Sequence, residues 1–257
     1  MIKNLLLSIL ILILFYSCTN QNNAENIRLE LNLDQDYKQV LVFETKTNSN
    51  NMGSMEEINE VEYTLDSITS DGVYCIKAKI NRIKYQSTLF GETENYDSDN
   101  NKSLAEMTDS EKEIHAEVSP MLNNEYHFRI NSKAELLDVA SSDQEYMADY
   151  LTKDLTNCPA VFPDEEVYVG YQWSNEKNTP ILESQKIKSN YTISSIDDKE
   201  IHFEVITEIE GIGGFVDQHT AEGIYVIDRK SKQFIRGIRT MKMQFGGGTV
   251  TYKIYQK

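Results

Sequence analysis

The segment "YTLDSITSDGVYCIKAKI" (residues 63–80) decides the fold class, because it contains two strands and the turn that joins them. Apolar and polar residues alternate on both sides of the turn "TSDG", which is typical of half-buried antiparallel strands. The first six residues recur as "YTISSI" (residues 191–196), with four of six positions identical, and the turn "DDKE" follows there. The sequence therefore predicts this hairpin twice.

Similar alternation along the chain predicts a mainly β (α+β) fold with antiparallel strands. The predicted strands are 27–33, 38–47, 57–68, 73–85, 185–196 and 201–209, and residues 223–255 are predicted as strand and turn throughout. Two short helices are predicted at 103–118 and 143–155. Ser103 and Glu106 have the spacing of a capping box at the start of the first helix, and Pro159 follows the second.

A second pair of hairpins supports an internal repeat. Tyr126, Ser132 and Lys133 match Tyr225, Ser231 and Lys232 at an offset of 99 residues, whereas the first pair is offset by 128. The difference of 29 residues equals the length of 92–120, which carries the first helix. We therefore predict a single domain, 27–257, in which two similar antiparallel sheet units form a curved, clam-like half-barrel with a helical insertion at about 92–120. Chance similarity between short β segments is the alternative.

The N-terminus has the pattern of a bacterial lipoprotein signal. Lys3 precedes twelve residues, 5–16, that are apolar except for one serine. This run is shorter than the roughly 20 residues that a membrane-spanning helix needs. Ser17 and Cys18 resemble the lipobox of lipoproteins, although Phe15 stands where leucine is usual. We predict a signal peptide at 1–17 and a lipidated N-terminus and tether at 18–26; a plain signal peptide with an incidental cysteine is the alternative.

The lipid on Cys18 would attach the protein to a membrane of the cell envelope. Thr19 is not acidic and Glu25 is the only acidic residue nearby, a pattern that favours the periplasmic face of the outer membrane. The net charge is −16, and it becomes −17 when Lys3 is removed with the signal peptide. This charge argues against a nucleic-acid partner, because phosphates are bound by lysine and arginine. Protein partners are not predicted.

Three stretches resemble a family of bacterial secreted and lipoprotein domains of unknown function. They are "LNLDQDYKQVLVFETK", "EYTLDSITSDGVYCIKAKINRIKY" and "FPDEEVYVGYQWS", the last of which has Val169, Gly170 and Trp173 where the family carries a Val-x-Gly-x-x-Trp stretch, although here the valine and the glycine are adjacent. The resemblance implies an envelope location and a β-rich architecture. It implies no catalytic residues.

No catalytic residue, metal site or cofactor is predicted. Residues 97–108 start like a calcium-binding EF-hand loop, but Lys102 replaces the glycine of the turn and Thr108 replaces the bidentate glutamate. Asp217 and His219 are the one acid–base pair that a hydrolase could use, and no nucleophile motif accompanies them. Cys75 and Cys158 could form a disulfide or remain two thiols.

An apolar ligand or lipid is the first functional interpretation. The predicted ligand-binding residues are Trp173, Phe203, Val205, Met241, Met243 and Phe245, since the methionines and aromatics alternate on strands and methionine adapts to irregular ligands. A non-enzymatic envelope lipoprotein with this role is the predicted function. A protein-interaction scaffold is the alternative, and a hydrolase is the least supported.

Replacing the lipidated cysteine tests the location. We expect Cys18→Ser to move the protein into the soluble periplasmic fraction, because the acyl chains supply the anchor. Cell fractionation and immunoblotting measure this. Persistence of the variant in the membrane fraction would remove the lipoprotein interpretation.

Overall fold

The computed structural model describes residues 25–50, 53–100, 102–122, 124–140, 161–178, 186–210, 219–243 and 247–257. Within those ranges the chain forms twelve β-strands and one α-helix. The strands are β1 (Lys38–Ser49), β2 (Gly53–Ile68), β3 (Tyr74–Leu89), β4 (Glu92–Asp97), β5 (Glu125–Ile130), β6 (Leu136–Ala140), β7 (Gln172–Asn178), β8 (Lys186–Ile196), β9 (Glu200–Glu210), β10 (His219–Asp228), β11 (Phe234–Met243) and β12 (Gly248–Gln256), and the helix is α1 (Asp109–Val118).

All twelve strands belong to one antiparallel sheet, so the predicted mainly β fold is confirmed. The strand order is β6-β5-β3-β2-β1-β12-β11-β10-β9-β8-β7, and the sheet is open at β6 and β7. The strand β4 lies off this path: residues 74–79 of β3 pair with β5, whereas residues 84–89 pair with β4. The predicted hairpins at "TSDG" and "DDKE" join β2 to β3 and β8 to β9.

Residues 27–33 are not a strand of the sheet, contrary to the prediction. This crossing segment has one isolated bridge, between Ile27 and Val167, and it otherwise lies across the inner face of the sheet. Its alternation reflects burial, because Leu29, Leu31 and Leu33 belong to the hydrophobic core while the residues between them face outward. A period of two marks a chain that is half buried, whether or not it pairs with neighbours.

The crossing segment hydrogen-bonds to turns from distant parts of the sheet. The amide of Leu31 donates to the carbonyl of Ser132 in the β5–β6 turn (2.7 Å), and the amide of Asn32 donates to Ser231 in the β10–β11 turn (2.9 Å). Six inter-strand steps separate β5 from β10, or about 29 Å along a flat sheet at ~4.8 Å per step. Because adjacent residues bind both turns, the sheet must curl around the crossing segment.

The inner face of the second half of the sheet carries a row of aromatic rings. Trp173 stacks on Tyr191 with a centroid distance of 5.0 Å, and edge-to-face contacts continue through Phe203, Tyr225 and Phe234. Gly237 makes room for this row, because a Cβ there would lie 2.2 Å from the Tyr225 ring. Such edge-to-face pairs contribute about 0.5–1.5 kcal/mol each beyond their buried area.

The helix α1 starts later than the predicted 103–118. Thr108 is its N-cap and forms a capping box with Glu111, so this second capping sequence sets the start of the helix. Ser103 and Glu106 do hydrogen-bond to each other, but only within an isolated turn. Leu104, expected on the apolar helix face, is exposed. The other predicted helix, 143–155, lies outside the described residues.

The crossing segment should be essential to stability. We expect Leu29→Ala to lower the free energy of unfolding by about 2–5 kcal/mol, because Leu29 is fully buried in the core and its truncation leaves a cavity. Arg28→Ala is the matched control: its side chain is 59% exposed, and its effect should stay within about 0.5 kcal/mol. Urea-induced unfolding measures both. Equal, small losses would show that the segment does not hold the sheet.

Candidate ligand-binding site

A cavity of about 120 Å³ lies between the crossing segment and the inner face of the sheet. Most of the side chains that line it are apolar. The lining residues are Leu31, Leu33, Tyr37, Gln39, Leu41, Tyr63, Ile76, Phe128, Ile130, Ala134, Leu136, Phe162, Lys232, Gln233 and Phe234. A partly closed apolar cavity with a few polar groups is the usual form of a small-molecule site.

The walls of the cavity come from both halves of the sheet. Ile76 and Phe128 face inward from the paired strands β3 and β5, and Leu136 faces them from the edge strand β6. Phe234 closes the opposite side from the start of β11. Since these strands are far apart in the sheet order, the cavity exists only because the sheet curls.

Two turns at the rim have strained backbones. Ala134 and Lys232 have φ angles of +59° and +61°, in the left-handed region that residues other than glycine seldom adopt. Each turn is held by a side chain: Asn131 Oδ1 accepts from the amide of Lys133 (2.9 Å), and Asp228 Oδ1 accepts from the amide of Ser231 (2.6 Å). Backbone strain of this kind concentrates at functional sites.

The polar groups of the cavity are few. The Tyr37 hydroxyl donates to Gln39 Oε1 (2.9 Å), and Gln39 Nε2 donates to the carbonyl of Phe234 (2.6 Å). The Tyr37 hydroxyl and both polar atoms of the Gln39 amide therefore have hydrogen-bond partners within the protein. Lys232 is the only charged residue among those that line the cavity. Burial of its ammonium lowers the pKa of Lys232; the nearby Arg229 acts in the same direction, and the Asp228 carboxylate opposes it.

The predicted ligand-binding residues lie elsewhere on the inner face. Phe203 and Val205 are buried within the core, Trp173 stacks on Tyr191 and donates to the carbonyl of Val161 (2.8 Å), and Met241 is partly buried. None of these four lines the 120 Å³ cavity. Met243 ends β11, and nothing is described of its side chain; Phe245 lies outside the described residues.

Strand pairing places an arginine in the same row of the inner face as two of these residues, Trp173 and Val205. Trp173, Tyr191 and Val205 continue through Gly223 to Arg239 in one row across the inner face. Arg239 is buried, and its guanidinium lies over the Tyr252 ring at 5.1 Å from the centroid. Tyr191 lies in the same row, and burial raises the pKa of its hydroxyl to about 12. Arg239 precedes Met241 by two residues, so alternation puts it on the same face, but its place in this row follows only from the strand register.

The other candidate residues that the structure describes do not line the cavity. Arg82 donates to both carboxylate oxygens of Asp97 (2.9 and 2.6 Å), so the loop that resembles a calcium site carries an ion pair instead. His219 begins β10, and Asp217 lies outside the described residues. Cys75 has a free thiol, and Cys158 also lies outside the described residues.

One further cluster was not anticipated. Ligand atoms of Asp197, Glu200 and His202 lie within 4.8 Å of one another around the β8–β9 turn. However, Arg236 donates to both carboxylate oxygens of Glu200 at 2.8 Å. A metal cation would have to displace this guanidinium, so the cluster is better described as an ion-pair network.

No protein-family model matches the chain, and no curated protein matches it with significance. The resemblance to bacterial lipoprotein domains therefore stays a prediction. Within the described part of the chain, α1 is too short and polar to cross a membrane.

Proposed function

We propose that this protein is a non-enzymatic lipoprotein of the cell envelope that holds an apolar ligand on the inner face of its curled sheet. The single observation that carries this proposal is the cavity between the crossing segment and the sheet, whose lining is apolar except for five residues. Its volume of about 120 Å³ is close to that of an engineered cavity of about 150 Å³ that binds benzene. The cavity therefore has room for a ring or a short stretch of alkyl chain.

The N-terminal sequence supports a place for this cavity near a membrane. The tether that follows Cys18 continues directly into the crossing segment, which lines the cavity through Leu31 and Leu33. The eight residues 19–26 reach at most about 28 Å when fully extended. A lipid on Cys18 would thus keep the start of the crossing segment within that distance of the outer membrane, on its periplasmic face.

An interaction scaffold is the second candidate, and the outer face of the sheet favours it. Ile206, Ile224, Ile238 and Tyr255 are exposed on neighbouring strands β9 to β12, and Ile224 pairs directly with Ile238. Exposed apolar groups in a contiguous patch often mark a contact surface. This function would use the opposite face of the sheet from the cavity.

We also infer that the sheet consists of two tandem units forming a half-barrel. The order β6-β5-β3-β2-β1 repeats as β11-β10-β9-β8-β7, with β12 between the two. Pairing shifts by one residue at Asp66 in the first unit and at Ser194 in the second, which are 128 positions apart. An experimental structure tests this inference: the two bulges should superpose when β2–β3 is overlaid on β8–β9, and bulges on opposite faces would contradict it.

Filling the cavity tests the function. We expect Leu136→Trp to lower octanol binding at least tenfold, because Leu136 lines the cavity from the edge strand β6 and the indole would occupy the space. Leu137→Trp is the matched control, since Leu137 is the next residue on the same strand, is exposed and does not line the cavity. Isothermal titration calorimetry of the mature chain (residues 18–257) carrying Cys18→Ser measures the affinities. Equal affinities for the two variants would rule out this cavity as the ligand site.

A further inference from the structure

We propose that the cavity takes an amphiphile with a single anionic head group, and that Lys232 binds the head. This inference rests on the proposed function and adds the chemical class of the ligand. The apolar lining would hold a short alkyl tail or a ring, and the ammonium of Lys232 would pair with the carboxylate at its end.

The position of Lys232 supports this role. It lies in the β10–β11 turn beside Gln233, and both residues line the cavity while remaining partly exposed. The cavity therefore has a polar side next to solvent and an apolar interior formed by side chains such as Ile76 and Phe128. An amphiphile fits a cavity of this kind, because its polar head can stay in contact with water while its apolar tail is buried away from water.

The ammonium lacks an ion-pair partner within the described part of the chain. Its hydrogen bond there goes to the carbonyl of Arg229. The carboxylate of Asp228 offsets part of this charge, but its Oδ1 accepts from the amides of Lys230 and Ser231 and from the Ser231 hydroxyl. An ammonium has three donors, so it can bind a ligand oxygen while it keeps the bond to Arg229.

A partly buried charge without an ion pair is costly, and an anionic ligand would offset that cost. The lowered pKa of Lys232 reflects the same cost. A cationic head would be repelled at this position, and a neutral head would gain only a hydrogen bond. Because the whole protein is strongly acidic, a local positive charge is also what an anion needs in order to approach.

The experiment compares two ligands of equal chain length, octanoate and octanol, on the mature chain carrying Cys18→Ser. We expect Lys232→Met to weaken octanoate binding at least tenfold and to change octanol binding less than threefold, because methionine keeps the length and apolarity of the stem. Lys230→Met, in the same turn but exposed and away from the cavity, should change neither affinity. Calorimetric titrations at pH 7 give all the values.

The outcomes separate the two proposals. If the unmodified chain binds neither ligand, the proposed function falls. If the unmodified chain binds octanol, the proposed function stands. The role of Lys232 is then wrong if Lys232→Met leaves octanoate binding unchanged, or if it weakens the binding of both ligands equally. Lys232→Arg is a control for folding defects, because it keeps the positive charge. This variant should still prefer octanoate to octanol, whereas Lys232→Met should not. If both variants lose the preference, binding of the head group by charge is contradicted.

Discussion

The structure depends on two adjacent hydrogen bonds, from the amides of Leu31 and Asn32 to the carbonyls of Ser132 and Ser231. Consecutive amides of an extended segment point to opposite sides, so one short stretch of backbone can bind two turns that face each other. The two turns belong to hairpins that the sheet itself places far apart. These two bonds therefore help to fix the curvature of the open twelve-stranded sheet at this end.

Burial of the leucine side chains strengthens the attachment of the crossing segment to the sheet. Leu29, Leu31 and Leu33 insert among side chains from both halves of the sheet, and Tyr74 donates to the carbonyl of Leu31 at 2.8 Å. The same arrangement produces the cavity, because a single extended segment does not fill the space that the curled sheet encloses. The interaction that stabilises the fold therefore also creates the candidate site, and under the proposed function the residues 19–26 would connect it to the lipid on Cys18.

The sequence predicts most of the strands and their inward faces, but β4 and β7 are not among the predicted strands. Alternation identified Leu29, Leu31 and Leu33 as buried and placed the hairpins at residues 69–72 and 197–200, because burial on one face of an extended chain leaves a period of two. Alternation cannot say what an extended chain pairs with, so 27–33 was taken for a strand. The helix start was wrong for a similar reason: two capping sequences, at Ser103 and Thr108, lie five residues apart, and only the second leads into a helix.

The candidate site was harder to predict than the fold. Met241 and Phe203 lie on the inner face as the alternation suggests, but Phe203 and Val205 belong to the core, and the cavity lies nearer the turns. Its lining joins residues as distant as Leu31 and Phe234, which only the curvature of the sheet brings together. Lys232 stands out in the sequence only as part of the repeat, and nothing there marks it as a ligand residue, since a lysine after a turn is ordinarily exposed.

The most direct test of the curled, ligand-binding sheet is a nuclear Overhauser measurement between bound octanoate and the labelled methyl groups of the isoleucine and leucine residues. The account predicts contacts from the alkyl chain to Ile76 and Ile130 on the paired strands β3 and β5 and to Leu33 on the crossing segment, all of which line the cavity. Contacts to Ile224 and Ile238 on the outer face, with none to the three cavity residues, would contradict it.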